Sequence, residues 1–103
     1  MKMIRQGDVL LVQSVIPKKA DKIEIKNKII LAEGEATGHT HAIKDLKNAA
    51  LFADKINNKI YLMVFNPVKL EHEEHKEITI PMGEYQVIRQ REYHPKAIST
   101  VLD

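Results

Sequence analysis

The sequence predicts an all-β fold: a small single-domain β-barrel or jelly-roll-like sandwich of about seven or eight short strands. Three observations carry this. Apolar residues come in runs of four to six that alternate with polar ones or stay continuously apolar, the period of strands rather than of helices. Turn residues (Gln6-Gly7, Asn57-Asn58, Asn66-Pro67, Pro81-Met82-Gly83) punctuate those runs at short intervals. No segment sustains a helical period, and regularly spaced short strands close into barrels or stack as sandwiches. With 103 residues, the chain reads as one β domain over 1–103, enough for one core.

The elements follow in order. Asp8 to Gln13 reads as a mostly buried strand opening the fold after the Gln6-Gly7 turn, and 17–21 as a loop. Ile23 and Ile25 alternate with Lys22, Glu24 and Lys26, and Ile29-Ile30-Leu31 resumes after Asn27, giving two strands or one bent strand. A Gly-bounded loop, Gly34 to Gly38, leads to a short strand over 39–44. The alanine-rich stretch 46–53 suits a helical turn or a strand. The strand over 49–53 is preferred because Asn57-Asn58 then forms a hairpin turn into a strand over 59–65. Residues 68–71 lead into the second histidine cluster, and strands are expected over 77–80 and again over 84–93, which Pro95 ends. Residues 98–103 pair on an edge or fray.

Composition removes several function classes. A net charge of +2 with both signs well mixed gives no general argument for nucleic acid or anionic membrane. The absence of cysteine excludes disulfides, thiolate metal sites and cysteine nucleophiles. No apolar stretch has the length of a signal peptide or a membrane span, so a cytoplasmic protein without membrane contact is expected. The glycines at 7, 34, 38 and 83 are too scattered for a phosphate-binding loop, so no nucleotide cofactor is expected. Ser14 and Ser99 lack a nucleophile-elbow context. Asp8 suits a turn or capping role better than that of a base.

Four of the five histidines fall in two clusters, His39-Thr40-His41 and His72-Glu73-Glu74-His75. Residues i and i+2 of a strand share a face, so His39 and His41 point the same way. Neutral imidazole is a common ligand of divalent metals, here zinc, nickel, manganese or iron. A metal site needs further ligands from elsewhere, and His72 and His75 are the candidates. On a straight strand these two face opposite sides, so both reach one ion only if Glu73-Glu74 makes a turn or bulge. The three-residue spacing also differs from the zinc-protease helix motif, whose histidines are four apart. The same residues read equally well as surface polar groups or as a half-buried hydrogen-bonded network. A histidine pair would also suit metal-free acid–base chemistry. His94 reads as a surface residue.

The outline Gly34, His39, His41, Asp45, followed by Pro81-Met82-Gly83 with Gln86 and Gln90, resembles the two motifs of the cupin family. This chain departs from them: the first spacing is one residue short, Asp replaces Glu, a final glycine is missing and Gln86 stands where the second motif has histidine. The resemblance implies a small jelly roll with metal inside the barrel, His72 or His75 supplying the missing ligand. The pattern of Arg-Gln-Gly-Asp-Val-Leu-Leu, Thr-Gly-His-x-His and Gln-Arg-Glu-Tyr is also similar to small bacterial and phage proteins, which implies no activity.

Two functions remain in view. In the first, the histidine cluster binds a divalent metal; with an open coordination position it would serve a small enzyme acting on a small-molecule ligand, and with none it would be structural. In the second, Arg89, Arg91 and Tyr93, on one face of the last strand, dock RNA, DNA or a larger protein complex through phosphate pairing and stacking. The competing reading of that strand is an outer one with Val87 or Ile88 turned to the core and its arginines lying over neighbouring strands. Self-association through exposed sheet edges is a third outcome.

Overall fold

A computed structural model of the chain describes residues 3–33 and 39–89. The fold is all-β, as its alternation predicts, with ten strands among the described residues: β1 (Met3–Gln6), β2 (Val9–Gln13), β3 (Asp21–Ile23), β4 (Ile29–Glu33), β5 (Thr40–Ile43), β6 (Ala49–Asp54), β7 (Lys59–Val64), β8 (Val68–Leu70), β9 (Ile78–Ile80) and β10 (Gly83–Arg89). A six-stranded antiparallel sheet runs β1-β2-β10-β7-β6-β3, and β4-β5 and β8-β9 form two separate two-stranded sheets. The large sheet is open, ending at β1 and β3, so no closed barrel forms among the described residues.

Burial follows the alternation. Val9 and Leu11 of β2, Val68 and Leu70 of β8, and Tyr85 and Val87 of β10 face inward, with Lys69 exposed between its neighbours. Register aligns these positions across the large sheet: Leu11 lies opposite Val87, which lies opposite Ile60, while Tyr85 lies opposite Leu62, itself opposite Leu51. Ile29, Leu31, Ile43, Leu70 and Ile80 from the small sheets close the same core. Each such aliphatic side chain contributes about 1.5–3 kcal/mol on burial.

The differences from expectation have local causes. β1 was not anticipated because only Met3 and Ile4 are apolar in it, and Met3 is exposed. The isoleucines of β3 and β4 separate into different sheets. The β6–β7 hairpin turn takes four residues, 55–58, because Asp54 organises it: its Oδ1 accepts from the Ile56 and Asn57 amides and its Oδ2 from Asn57 Nδ2. Asn58 then adopts a φ of 56°, tolerable for asparagine. The expected continuation of the last strand to Tyr93, the segment 98–103, His94 and the Gly34–Gly38 loop lie outside the described residues.

Two features position the histidines. β1 and β2 join through Gly7-Asp8, with Gln6 opposite Val9 and a φ of 60° at Gly7 but no positive φ at Asp8. This is the type II′ pattern, which calls for glycine at the first central position. Beyond β8, Glu71 makes an isolated bridge to Ala42 of β5, each amide donating to the other's carbonyl at 2.9 Å. The second and third sheets are thereby stitched together at the start of the His72–His75 segment.

Candidate metal centre

The Ala42–Glu71 bridge explains how residues thirty apart become neighbours. One antiparallel step along, His41 faces His72; the next steps put Thr40 beside Glu73 and His39 beside Glu74. The contacts agree: the His41 and His72 ring centroids are 4.3 Å apart, the Thr40 amide donates to Glu73 Oε1 at 2.9 Å, and His39 Nδ1 lies 3.7 Å from Glu74 Oε2. The backbone bends over 73–75, and the Glu74 amide donates to His72 Nδ1 at 3.0 Å. That bend brings His75 back, its ring 4.6 Å from that of His72 and 5.7 Å from that of His41.

His41, His72 and His75 form a group whose ligand nitrogens all lie within 4.8 Å of one another. Two nitrogens about 2.0–2.1 Å from one tetrahedral ion are roughly 3.4 Å apart, so the triad would contract by at most about 1.5 Å. His75 is exposed and on a loop, and has the freedom to make that shift. His39 shares the side of the strand with His41, as the i, i+2 spacing predicts, and packs edge-on to His72 at 5.7 Å. Its nitrogen turns to Glu74 and is not among the three that converge.

Gln6 sets the chemistry of His41. Its Nε2 donates to the carbonyls of Leu70 (2.9 Å) and Lys76 (3.0 Å), using both amide protons. Oε1 is therefore the acceptor facing His41 Nδ1 at 2.8 Å, and the imidazole carries its proton on Nδ1. In the neutral ring Nε2 keeps its lone pair. Gln6 and His41 are both buried, at 4% and 1% exposure. Burial above all, and then the neighbouring His72, hold the His41 pKa below its ordinary value; Asp8 pulls upward without overcoming them. Gly7 makes room for the rings: a Cβ there would stand 2.7 Å from His75 Nε2 and 3.0 Å from His41 Cε1. The Glu73 carboxyl is held below the usual range, chiefly by the Thr40 amide.

His72 bears a constraint of its own. Because Nδ1 accepts from the Glu74 amide, the neutral ring has its proton on Nε2. Coordination through either nitrogen gives up that hydrogen bond.

Other candidate residues fall elsewhere. Asp45, the acidic residue of the cupin-like outline, caps a turn: it accepts from the Lys47 and Asn48 amides and from Asn48 Nδ2. The Asp-x-x-Asn spelling of 45–48 and 54–57 was a readable signal for both turns. Arg89 lies far along β10, in line with the buried Tyr85 and Val87, and its Nε donates to the Leu31 carbonyl at 2.6 Å. Arg91 and Tyr93 lie outside the described residues. Gln6 and Gly7 were missed as site residues, because a polar residue before a glycine reads simply as a turn.

A family model described as a domain of unknown function (DUF8820) matches residues 5–90. No curated protein and no solved structure matches the chain.

Proposed function

The chain belongs to DUF8820, a family of domains of unknown function, and on the geometry of its histidine cluster we propose that it binds a divalent first-row metal cation through His41, His72 and His75. The observation that carries the reading is the convergence of three imidazoles within 4.8 Å, one of them held by Gln6 in the tautomer that presents Nε2. Metal-binding histidines commonly donate their other ring N–H to a fixed acceptor, and the Gln6 carbonyl oxygen supplies one. All-nitrogen donors suit zinc, nickel, cobalt or iron. Three protein nitrogens leave coordination positions for water or a small ligand, the arrangement of catalytic rather than closed structural sites. A cation there would supply Lewis-acid activation of a bound water. This supports reading the domain as a small metal-dependent enzyme, expected in the cytoplasm.

Elemental analysis and zinc titration of the untagged protein, beside His41→Ala and His72→Ala, test the proposal. Near-stoichiometric metal that both variants lose is expected. The Glu74 amide resonance should shift on metal addition, since coordination by His72 breaks its hydrogen bond. Failure to take up zinc, nickel, cobalt, manganese or iron would refute the proposal.

A further inference from the structure

We infer that Asp8 is a fourth protein ligand, its carboxylate joining His41, His72 and His75 around the same cation. The inference rests on the metal reading above and extends it to the β1–β2 turn; the open position which that reading uses is then a fifth or sixth one on the cation. Its starting point is the proton inventory. With both Gln6 amide protons on carbonyls, His41 Nδ1 is the donor and Nε2 bears a lone pair. Asp8 Oδ1 stands 3.6 Å from that Nε2.

The distance discriminates between explanations. An N–H···O hydrogen bond spans about 2.7–3.2 Å, so 3.6 Å is too long for a proton shared directly between the two atoms. A nitrogen and an oxygen each about 2.0–2.2 Å from one ion lie roughly 3.0–3.6 Å apart, depending on the angle. The separation fits two ligands on one centre; Asp8 lies outside the 4.8 Å group of the three histidines and would turn toward it on binding. A cation seated between the Nε2 lone pair and the carboxylate would bond to both.

The neighbouring residues are placed consistently. Gly7, adjacent to Asp8, has His75 Nε2 and His41 Cε1 against its α-carbon face. Three consecutive residues thus address one site: Gln6 orients His41, Gly7 admits the rings and Asp8 supplies the charge. The Asp8 side chain is 31% exposed, open enough to rotate toward an ion arriving from solvent. A set of three imidazoles and one carboxylate selects a divalent cation over copper(I), which prefers sulfur ligands.

Cobalt(II) is the probe, because its visible absorption reports the ligand set. The full-length chain is titrated as wild type, Asp8→Ala, Asp8→Asn, His41→Ala and Glu74→Ala, with folding checked by circular dichroism. Asp8→Asn retains the turn should alanine disturb it. Both Asp8 variants are expected to bind cobalt at least tenfold more weakly and with an altered d–d spectrum, while Glu74→Ala stays close to wild type. If both Asp8 variants match wild type in affinity and spectrum while His41→Ala loses binding, Asp8 is not a ligand and the histidine site stands. If wild type takes up no cobalt, the metal reading fails and the Asp8 inference with it.

Discussion

Replacing Gln6 with leucine tests most directly what holds the histidine cluster together. The change keeps a buried side chain of similar size and deletes three hydrogen bonds, to Leu70 O, Lys76 O and His41 Nδ1. At about 1 kcal/mol each, the bonds alone amount to about 3 kcal/mol. The true loss should run somewhat higher, because the Leu70 carbonyl and His41 Nδ1–H are left buried without partners, each costing about 1–3 kcal/mol, whereas the partly buried Lys76 carbonyl finds water. A loss of about 3–5 kcal/mol is therefore expected, a large share of the 5–15 kcal/mol typical of a domain. Urea unfolding in the presence of chelator measures it. A double-mutant cycle of Gln6→Ala with His41→Ala should return a coupling on the order of 1 kcal/mol. Nitrogen-15 spectra of the imidazoles should show His41 moving from a pure Nδ1–H tautomer to a mixture. A stability loss under about 1 kcal/mol, with the tautomer unchanged, would refute the assignment of Gln6 as the group that orients the ring.

Three further outcomes follow from the same geometry. Gly7→Ala should destabilise by about 1–3 kcal/mol through its positive φ and displace His75; in a His75→Ala background the backbone cost and the close contact with His41 Cε1 should remain while the clash with His75 disappears, and equal stability of Gly7→Ala and wild type by urea unfolding would contradict this. The lowered pKa of His41 means that, as pH falls below about 6.5, the unfolded chain takes up a proton before the native ring does. Stability from this group is therefore full above that value and declines below it, until the native pKa is passed; urea midpoints from about pH 8 to pH 5 should fall less steeply in His41→Ala. Asp54→Ala should cost about 1–2 kcal/mol and more than Asp45→Ala, since both cap Asp-x-x-Asn turns but Asp54 is buried; equal melting temperatures for the two variants would show that burial adds nothing.

The legible parts of this molecule are the local ones. Alternation placed β6, β7, β9 and the start of β10 to within a residue or two, and Tyr85-Gln86-Val87 carries its burial pattern in its spelling. Two histidine clusters suggested one neighbourhood, and the side chains of three of the four residues come together. What escaped is non-local. The pairing of His41 with His72 depends on the Ala42–Glu71 bridge, which no periodicity in either segment implies. The division of β3 and β4 between sheets is likewise decided by packing. Gln6 looks like any turn-flanking polar residue until two distant carbonyls claim its amide. Asp45 is a local case too: the Asp-x-x-Asn turn takes up both of its carboxylate oxygens.

The hydrogen bonds of Gln6 bear on the order of folding events. They join positions 64 and 70 residues apart, and together with the bond to His41 of β5 they tie β1 of the large sheet to both small ones. Closing loops of that span costs entropy before the contacts return anything, so such contacts form late on the path to the native state. The cluster should then be unformed in the folding transition state. Weakening Gln6 should accelerate unfolding and leave the refolding rate nearly unchanged, a result stopped-flow chevrons would show in the unfolding limb alone. Evolution would be free to retune such a site without slowing the acquisition of the fold that carries it.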